Sequence, residues 1–252
     1  MIELKNAEAM ASMRRAGRVV AETLAILRDA VRAGMTTAEV DAIGEREIRA
    51  RDALPSFKGY RGFTGTLCTS INHEIVHGIP GAAAVREGDL LKIDCGAIVG
   101  GYHGDAAITV AIGEPTPEQL KLIETTERAL WAGIAEARAG NRAGDIGAAV
   151  QTIAEGAGFS VVREYSGHGI GRALHEDPPI YNWGKPKRGI PLRPGMVIAI
   201  EPMVNAGTHE TRLLADGWTV VTADGSLSAH FEHTVAITPG GPEVLTALDG
   251  AA

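Results

Sequence analysis

The stretch DLLKIDCGAIVGGYHGDAAITVAI, residues 89–112, carries the reading of the fold. Two apolar runs, 89–99 and 102–112, flank Gly100-Gly101, and a two-glycine turn between such runs predicts an antiparallel hairpin. With the turn there, Val99 faces Tyr102 and Asp94 faces Ala107, so Asp105 shares the face of Asp94 on the diagonal. The two acids then lie roughly 6–8 Å apart at the backbone. A carboxylate inside an apolar strand is at least half buried and needs a partner. Two anions this close call for a cation between them, or for one of them to hold a proton.

The theme returns later in the chain. Glu201 follows the apolar run Met196-Val197-Ile198-Ala199-Ile200, and Glu232 stands within His230-Phe231-Glu232-His233-Thr234-Val235. Any one of these acids would suit the solvent face of an edge strand; four embedded in apolar strands do not. Four carboxylates with an imidazole form an oxygen-rich set suited to Mn, Fe(II), Co or Zn. Bridging carboxylates fit two metals about 3.5–4 Å apart. The candidate imidazole is His168, in Ser166-Gly167-His168-Gly169-Ile170-Gly171, whose glycines let the backbone approach a crowded site. Alone, a histidine in a Gly-rich turn is more often structural; the acidic set is what points to ligation.

Working outward, Met10, Met13, Ala16, Val20, Leu24, Leu27 and Val31 recur at three and four residues and predict a helix over 7–33, stopped by Gly34. Thr36 or Thr37 caps a second helix, about 38–51. Helices are also expected over 117–138 and 145–156, and strands over 196–204, 217–222 and 229–238. The halves echo one another. Ala33-Gly34 and Ala139-Gly140 each precede a helix, and Leu91-Lys92-Ile93-Asp94 matches Ile198-Ala199-Ile200-Glu201, about 106 residues apart in each case. One catalytic domain over 1–252, built from a pseudo-repeat of roughly 1–115 and 116–252, is the expectation; the bland alternative is that any α/β chain yields such echoes.

Composition narrows the function. A net charge of -7 argues against a dedicated nucleic-acid binder. The two cysteines, Cys68 and Cys95, read as reduced thiols rather than a disulfide framework. No run resembles a signal peptide or approaches the roughly 20 apolar residues of a membrane span, so a soluble, cytoplasmic protein is expected. An α/β-hydrolase reading fails for want of a nucleophile elbow.

From about Ile2 to Thr238 the chain resembles type I methionine aminopeptidases, of the pita-bread metallopeptidase fold. The resemblance is carried by an ordered series: Ser70-Ile71-Asn72, His77-Gly78-Ile79-Pro80, Ile93-Asp94, Tyr102-His103-Gly104-Asp105, Gly167-His168-Gly169-Ile170-Gly171, Ile200-Glu201-Pro202-Met203 and Phe231-Glu232-His233-Thr234. It implies an α+β fold, a pseudo-twofold pair of α/β halves with a curved antiparallel sheet covered by helices. It implies two divalent ions (Co, Mn, Fe(II) or Zn), bridged by Asp105 and Glu232, with His168 and Glu201 completing one site and Asp94 the other. His77 and His175 match histidines that contact substrate near the scissile amide. Glu201 would shuttle a proton to the leaving amine after attack by a metal-bridging hydroxide. Tyr60, Phe63, Cys68, Leu174 and Trp218 fall where the family lines its methionine pocket, with Cys68 a small wall rather than a nucleophile.

The sequence departs from the family pattern at Leu174, in place of a frequent aromatic, and at Gly96, in place of a hydroxyl-bearing residue. The implied substrates are N-termini of nascent polypeptides with a small second residue. Any ribosome contact would be transient and made through the domain surface, without direct nucleic-acid binding and without a membrane. Three relatives compete. Prolidases and X-Pro aminopeptidases usually carry an extra N-terminal domain, for which this chain leaves no room. Type II enzymes carry a helical insertion that is absent here. Non-catalytic relatives lose metal ligands, whereas all five are present.

Overall fold

The computed structural model describes residues 2–248. Helix α1 (Ala7–Ala30) starts where the Asn6 side chain accepts the Ala9 N–H, and helix α2 (Thr37–Arg49) starts in a reciprocal box between Thr36 and Glu39. The first helix stops three residues before the expected end. Val31 is already extended, at φ -71° and ψ 131°, because Gly34 and Met35 are drawn into backbone pairing with Val85.

Short strands β1 (Leu54–Pro55), β2 (Leu67–Ile71) and β3 (Glu74–Val76) lead to the long hairpin of β4 (Leu90–Val99) and β5 (Tyr102–Ala111). Gly100 and Gly101 take φ of 59° and 79°, the left-handed pair that a two-residue hairpin turn requires. Helices α3 (Pro117–Glu136) and α4 (Ala143–Gly156) follow. The remainder is strand: β6 (Ser160–Val161), β7 (Gly167–Gly169), β8 (Glu176–Ile180), β9 (Val197–Ile200), β10 (Met203–Asn205), β11 (Thr211–Leu213), β12 (Val220–Thr222), β13 (Ser228–His230), β14 (Glu232–Thr238) and β15 (Gly241–Val244).

The main sheet runs β1-β4-β5-β14-β9-β7-β8, with β2 also paired to β4 and β15 to β14; every pairing is antiparallel. The curled sheet with its helical cover is the α+β pita-bread architecture. Helices α1 and α2 lie over β1, β2, β4 and β5, while α3 and α4 lie over strands of the second half. Alternation sorts the hairpin's two faces. Leu91, Ile93, Cys95, Ala97, Ala106 and Ile108 join Val20, Leu24, Leu27 and Val40 in the main core, leaving the opposite face for Asp94 and Asp105. Where α1 crosses β5, a Cβ on Gly104 would come within 2.7 Å of the Gly17 nitrogen, so the bare Gly104 sets the depth of that contact.

Two expected strands are interrupted, one at an acid and the other directly before one. The stretch 196–204 divides into β9 and β10 at Glu201-Pro202, and 229–238 divides into β13 and β14 at Phe231. On one side of each break the chain belongs to the main sheet; on the other it belongs to the small sheet β13-β10-β6. Pro202 has no N–H to continue the first ladder. Likewise β12 begins at Val220 rather than 217, because the Asp216 side chain takes the N–H groups of Trp218 and Thr219. Among the described residues no helix is long and apolar enough to cross a membrane.

Candidate active site

Asp94 on β4 and Glu232 on β14 both face Ala107, which stands between them on β5, so one small methyl separates two carboxylate-bearing strands. Asp105, opposite Gly96, completes a triangle on the same face. Glu201 follows the last residue of β9, whose Ile200 is registered with His233. His168 enters from β7, squeezed between β8 and β9. A Cβ on Gly167 would lie 2.3 Å from the Ala199 carbonyl oxygen, and one on Gly169 2.2 Å from that of Asp177. The glycines on either side of the histidine are therefore demanded by backbone crowding.

These side chains converge. Ligand atoms of Asp105, His168 and Glu232 lie within 4.8 Å of one another, and His168 Nε2 is 3.5 Å from Glu201 Oε1. The His168 Nδ1 lies 2.9 Å from the Gly169 carbonyl, which can only accept, so the proton sits on Nδ1 and Nε2 presents its lone pair to the acids. Burial holds that ring neutral, with its pKa lowered to about 3. Burial drives all four carboxyls upward: Asp94 to about 7, against the lowering effect of hydrogen bonds with Asp105 and the Cys95 backbone, and Asp105, Glu201 and Glu232 well above the usual carboxylate range, where repulsion from neighbouring carboxylates adds to burial. Among the described residues no lysine or arginine pairs with any of them, and Asp94 Oδ1, Asp105 Oδ1 and Glu232 Oε1 are buried without a hydrogen-bond partner. Orphaned anionic oxygens facing an imidazole lone pair are a donor set for divalent cations. The residues fit such ions.

One cavity of about 290 Å³ touches every candidate residue. Its floor is formed by the buried Asp105, His168 and Glu232 and the half-buried Asp94 and Glu201; Tyr60, Phe63, Cys68, His77, Leu174, His175 and Trp218 supply the walls. Phe57 and Arg61 line it too, although the sequence reading singled out neither. Phe63 meets Trp218 edge-on at 5.0 Å, and Tyr60 stacks on His175 at 5.3 Å with its hydroxyl 2.9 Å from Nδ1. His175 also packs on His168, with ring centres 4.2 Å apart. His77 sits at φ 61°, a strained position for a residue with a side chain. Burial, and then Asp94, Asp105 and Glu232, push the Cys68 thiol well up, so it stays protonated and serves as wall.

Gly96 has a local cause. A Cβ there would come within 2.7 Å of Ser56 Cβ and 2.8 Å of the Phe57 ring, and the Ser56 hydroxyl already bonds His103 Nδ1. Gly96→Ser is therefore expected to cost about 1–3 kcal/mol by overpacking, measurable as a lower urea midpoint with an unchanged slope.

Three supports escape a reading of the chain alone. The Thr234 hydroxyl donates to the Asp105 carbonyl (2.7 Å) and accepts its N–H (3.0 Å), binding β14 to β5 beside the acids. Asn182 Nδ2 donates to the Glu201 carbonyl at 2.9 Å. Lys5, its side chain 1% exposed, donates to Glu176 Oε2 at 2.7 Å, and Glu176 Oε1 in turn accepts the Ala173 N–H. That pair fixes the loop bearing Leu174 and His175, and a sequence separation of 171 hides it. Lys5→Met is expected to destabilise by about 3 kcal/mol, since it strands a largely buried carboxylate. The double variant Lys5→Met/Glu176→Gln should recover part of that loss in the same unfolding experiment.

A fold of this kind around a buried, oxygen-rich cation site defines a metallopeptidase. Residues 11–239 match metallopeptidase family M24. The chain is 51% identical to methionine aminopeptidase 1 of Bacillus subtilis over 98% of its own length and 99% of that protein's. It is also 51% identical to the methionine aminopeptidase of Clostridium perfringens, over 98% and 100% of the two chains. The crystal structure of a Thermotoga maritima methionine aminopeptidase superposes with a TM-score of 0.97 at 41% identity, covering 98% of this chain and 100% of that one. A prolidase from Pyrococcus furiosus shares the fold at a TM-score of 0.78 and 23% identity. The chain belongs to metallopeptidase family M24 and, within it, to the methionine aminopeptidases.

Proposed function

We propose that the chain removes the N-terminal methionine from nascent polypeptides whose second residue is small, with two divalent ions held by Asp94, Asp105, His168, Glu201 and Glu232. The observation that carries this is the meeting, in one cavity, of a carboxylate floor with orphaned oxygens and an aromatic wall sized for one side chain. When bound, divalent cations supply Lewis acidity toward a carbonyl and make water acidic near neutral pH.

The residues divide the remaining work. Phe63, Trp218, Tyr60 and Cys68 enclose the apolar methionine side chain and exclude water from it. Glu201, whose Oε1 lies 3.5 Å from His168 Nε2, takes a proton from the attacking water and delivers it to the leaving amine. Both outer histidines act as neutral donors. His77 is lowered to about 4 by burial and then by His175, and His175 is lowered by burial and then by Arg61. The Tyr60 hydroxyl lies 2.9 Å from His175 Nδ1, and in the tautomer where that hydroxyl donates, His175 carries its proton on Nε2, free to stabilise the oxyanion of the scissile amide.

Release of methionine from Met-Ala-Ser, with no turnover of Ala-Pro, is the expected result of a peptide assay. Turnover of Ala-Pro alone would move the chain to the prolidase side of the fold. Two halves, 1–115 and 116–252, forming one catalytic domain, a cytoplasmic site of action and a transient surface contact with the ribosome belong to the same proposal. The separate helical covers of the two sets of strands support the first of these.

A further inference from the structure

The cavity has a closed end and an open one. Its floor acids and Cys68 are sheltered from solvent, whereas the exposed lining residues are Arg61 and His175. A space of about 290 Å³ holds one side chain and the reacting amide, so the rest of a bound peptide must leave past these two residues.

Arg61 shares the lack of a carboxylate partner with other arginines of its half, Arg15 and Arg32 among them, but it is the one arginine or lysine among the residues that line the cavity. Arg14, Arg18, Arg46, Arg49 and Arg51 each pair with a glutamate. Arg61 has no carboxylate partner among the described residues; its guanidinium lies 5.3 Å from the Tyr60 ring centre, at the cavity mouth. Its backbone sits at φ 49°, between Gly59 at 88° and Gly62 at 90°. A left-handed arginine is held against its own preference there, in a turn whose glycines meet no such penalty. The carboxylates of the cavity floor are those assigned to the metal ions, which leaves Arg61 as the unpaired charge beside the exit.

We infer that Arg61 is a specificity-determining residue that favours acidic side chains in the peptide beyond its second position. This rests on the aminopeptidase reading above. A guanidinium recognises carboxylates through paired N–H donors, and at an exposed site the attraction is modest and screened by salt. The chain's net charge of -7 acts in the opposite sense, so the local cation can be separated from the global field by removing it.

The test uses C-terminally amidated peptides, Met-Ala-Asp-Gly, Met-Ala-Ser-Gly and Met-Ala-Lys-Gly, with the same three residues also placed at the fourth position. At low ionic strength kcat/KM should fall from Asp to Ser to Lys, by about tenfold across the series at whichever position is the more sensitive, and the spread should collapse near 1 M salt. In Arg61→Gln the series should be flat or reversed, and in Arg61→Glu reversed. Uncleavable analogues with a reduced first amide, titrated calorimetrically, should bind in the same order. Thermal melts of both variants check that the fold is kept. Equal turnover of the Asp and Lys peptides by the unmodified protein, or the same Asp-to-Lys ratio in Arg61→Gln, overturns the inference. Failure to release methionine from any peptide, the neutral one included, overturns the aminopeptidase reading instead and takes this inference with it.

Discussion

Glu201→Gln is expected to lower kcat/KM for Met-Ala-Ser by about 10²–10⁴-fold, the range for loss of a positioned acid–base group. The same substitution should leave the metal-stripped protein as stable as the unmodified one, or more so, at pH 8. The reason lies in what surrounds the carboxyl. Burial, then Asp105, then Asp94 raise its pKa well above the normal range, so ionising it in the stripped site works against folding. Glutamine has nearly the same shape and no charge to bury. Activity and stability thus move in opposite directions, a pattern a merely structural glutamate would not show. Parallel loss of both, read from peptide turnover and urea unfolding, would sink the assignment.

Removing divalent ions with a chelator should abolish methionine release and make stability depend on pH in a defined sense. A carboxyl whose folded pKa is raised contributes stability that is complete below its unfolded value, about 4, and is lost as pH rises through the folded value. For Asp94 that value is about 7, and Asp105, Glu201 and Glu232 are shifted the same way. The buried histidines work oppositely. His77, His103, His168, His230 and His233 are lowered to about 3 or 4, so they weaken the fold only below their unfolded value, about 6.5. From pH 6.5 to 8 the carboxyls therefore act without that opposition, and the melting temperature of the stripped protein should fall across that window. Bound cations need the ionised form, so their stabilising effect should grow over the same interval and binding should release protons. Scanning calorimetry at pH 6.5, 7.2 and 8 with and without metal checks this. A gap that narrows as pH rises would overturn the metal assignment for these acids.

How much of this was legible beforehand depended on distance along the chain. The β4–β5 hairpin could be read to the residue pair because its register follows from Gly100-Gly101 and simple alternation. The breaks at Glu201 and Phe231 could not, since apolar residues continue on both sides whichever sheet they join; Pro202 was the available signal. The metal-site candidates stood out as charges in the wrong company. Thr234, Asn182 and the Lys5–Glu176 pair did not, because a threonine in a strand, or an acid after a Gly-rich segment, is unremarkable until its partner folds back onto it. Arg61 hid among glycines that look like any surface loop, and only the cavity shows where that loop leads.

The strict alternation of faces along β4 and β5 also governs which changes of length this hairpin can absorb over evolutionary time. An insertion or deletion of one residue inside either strand would exchange core and site faces from that point on, sending Asp105 or Asp94 toward the helices and Ile93 or Ile108 into the cavity. Such indels would be purged at once, whereas the exposed Gly100-Gly101 tip, with no face to preserve, is where lineages are free to differ in length.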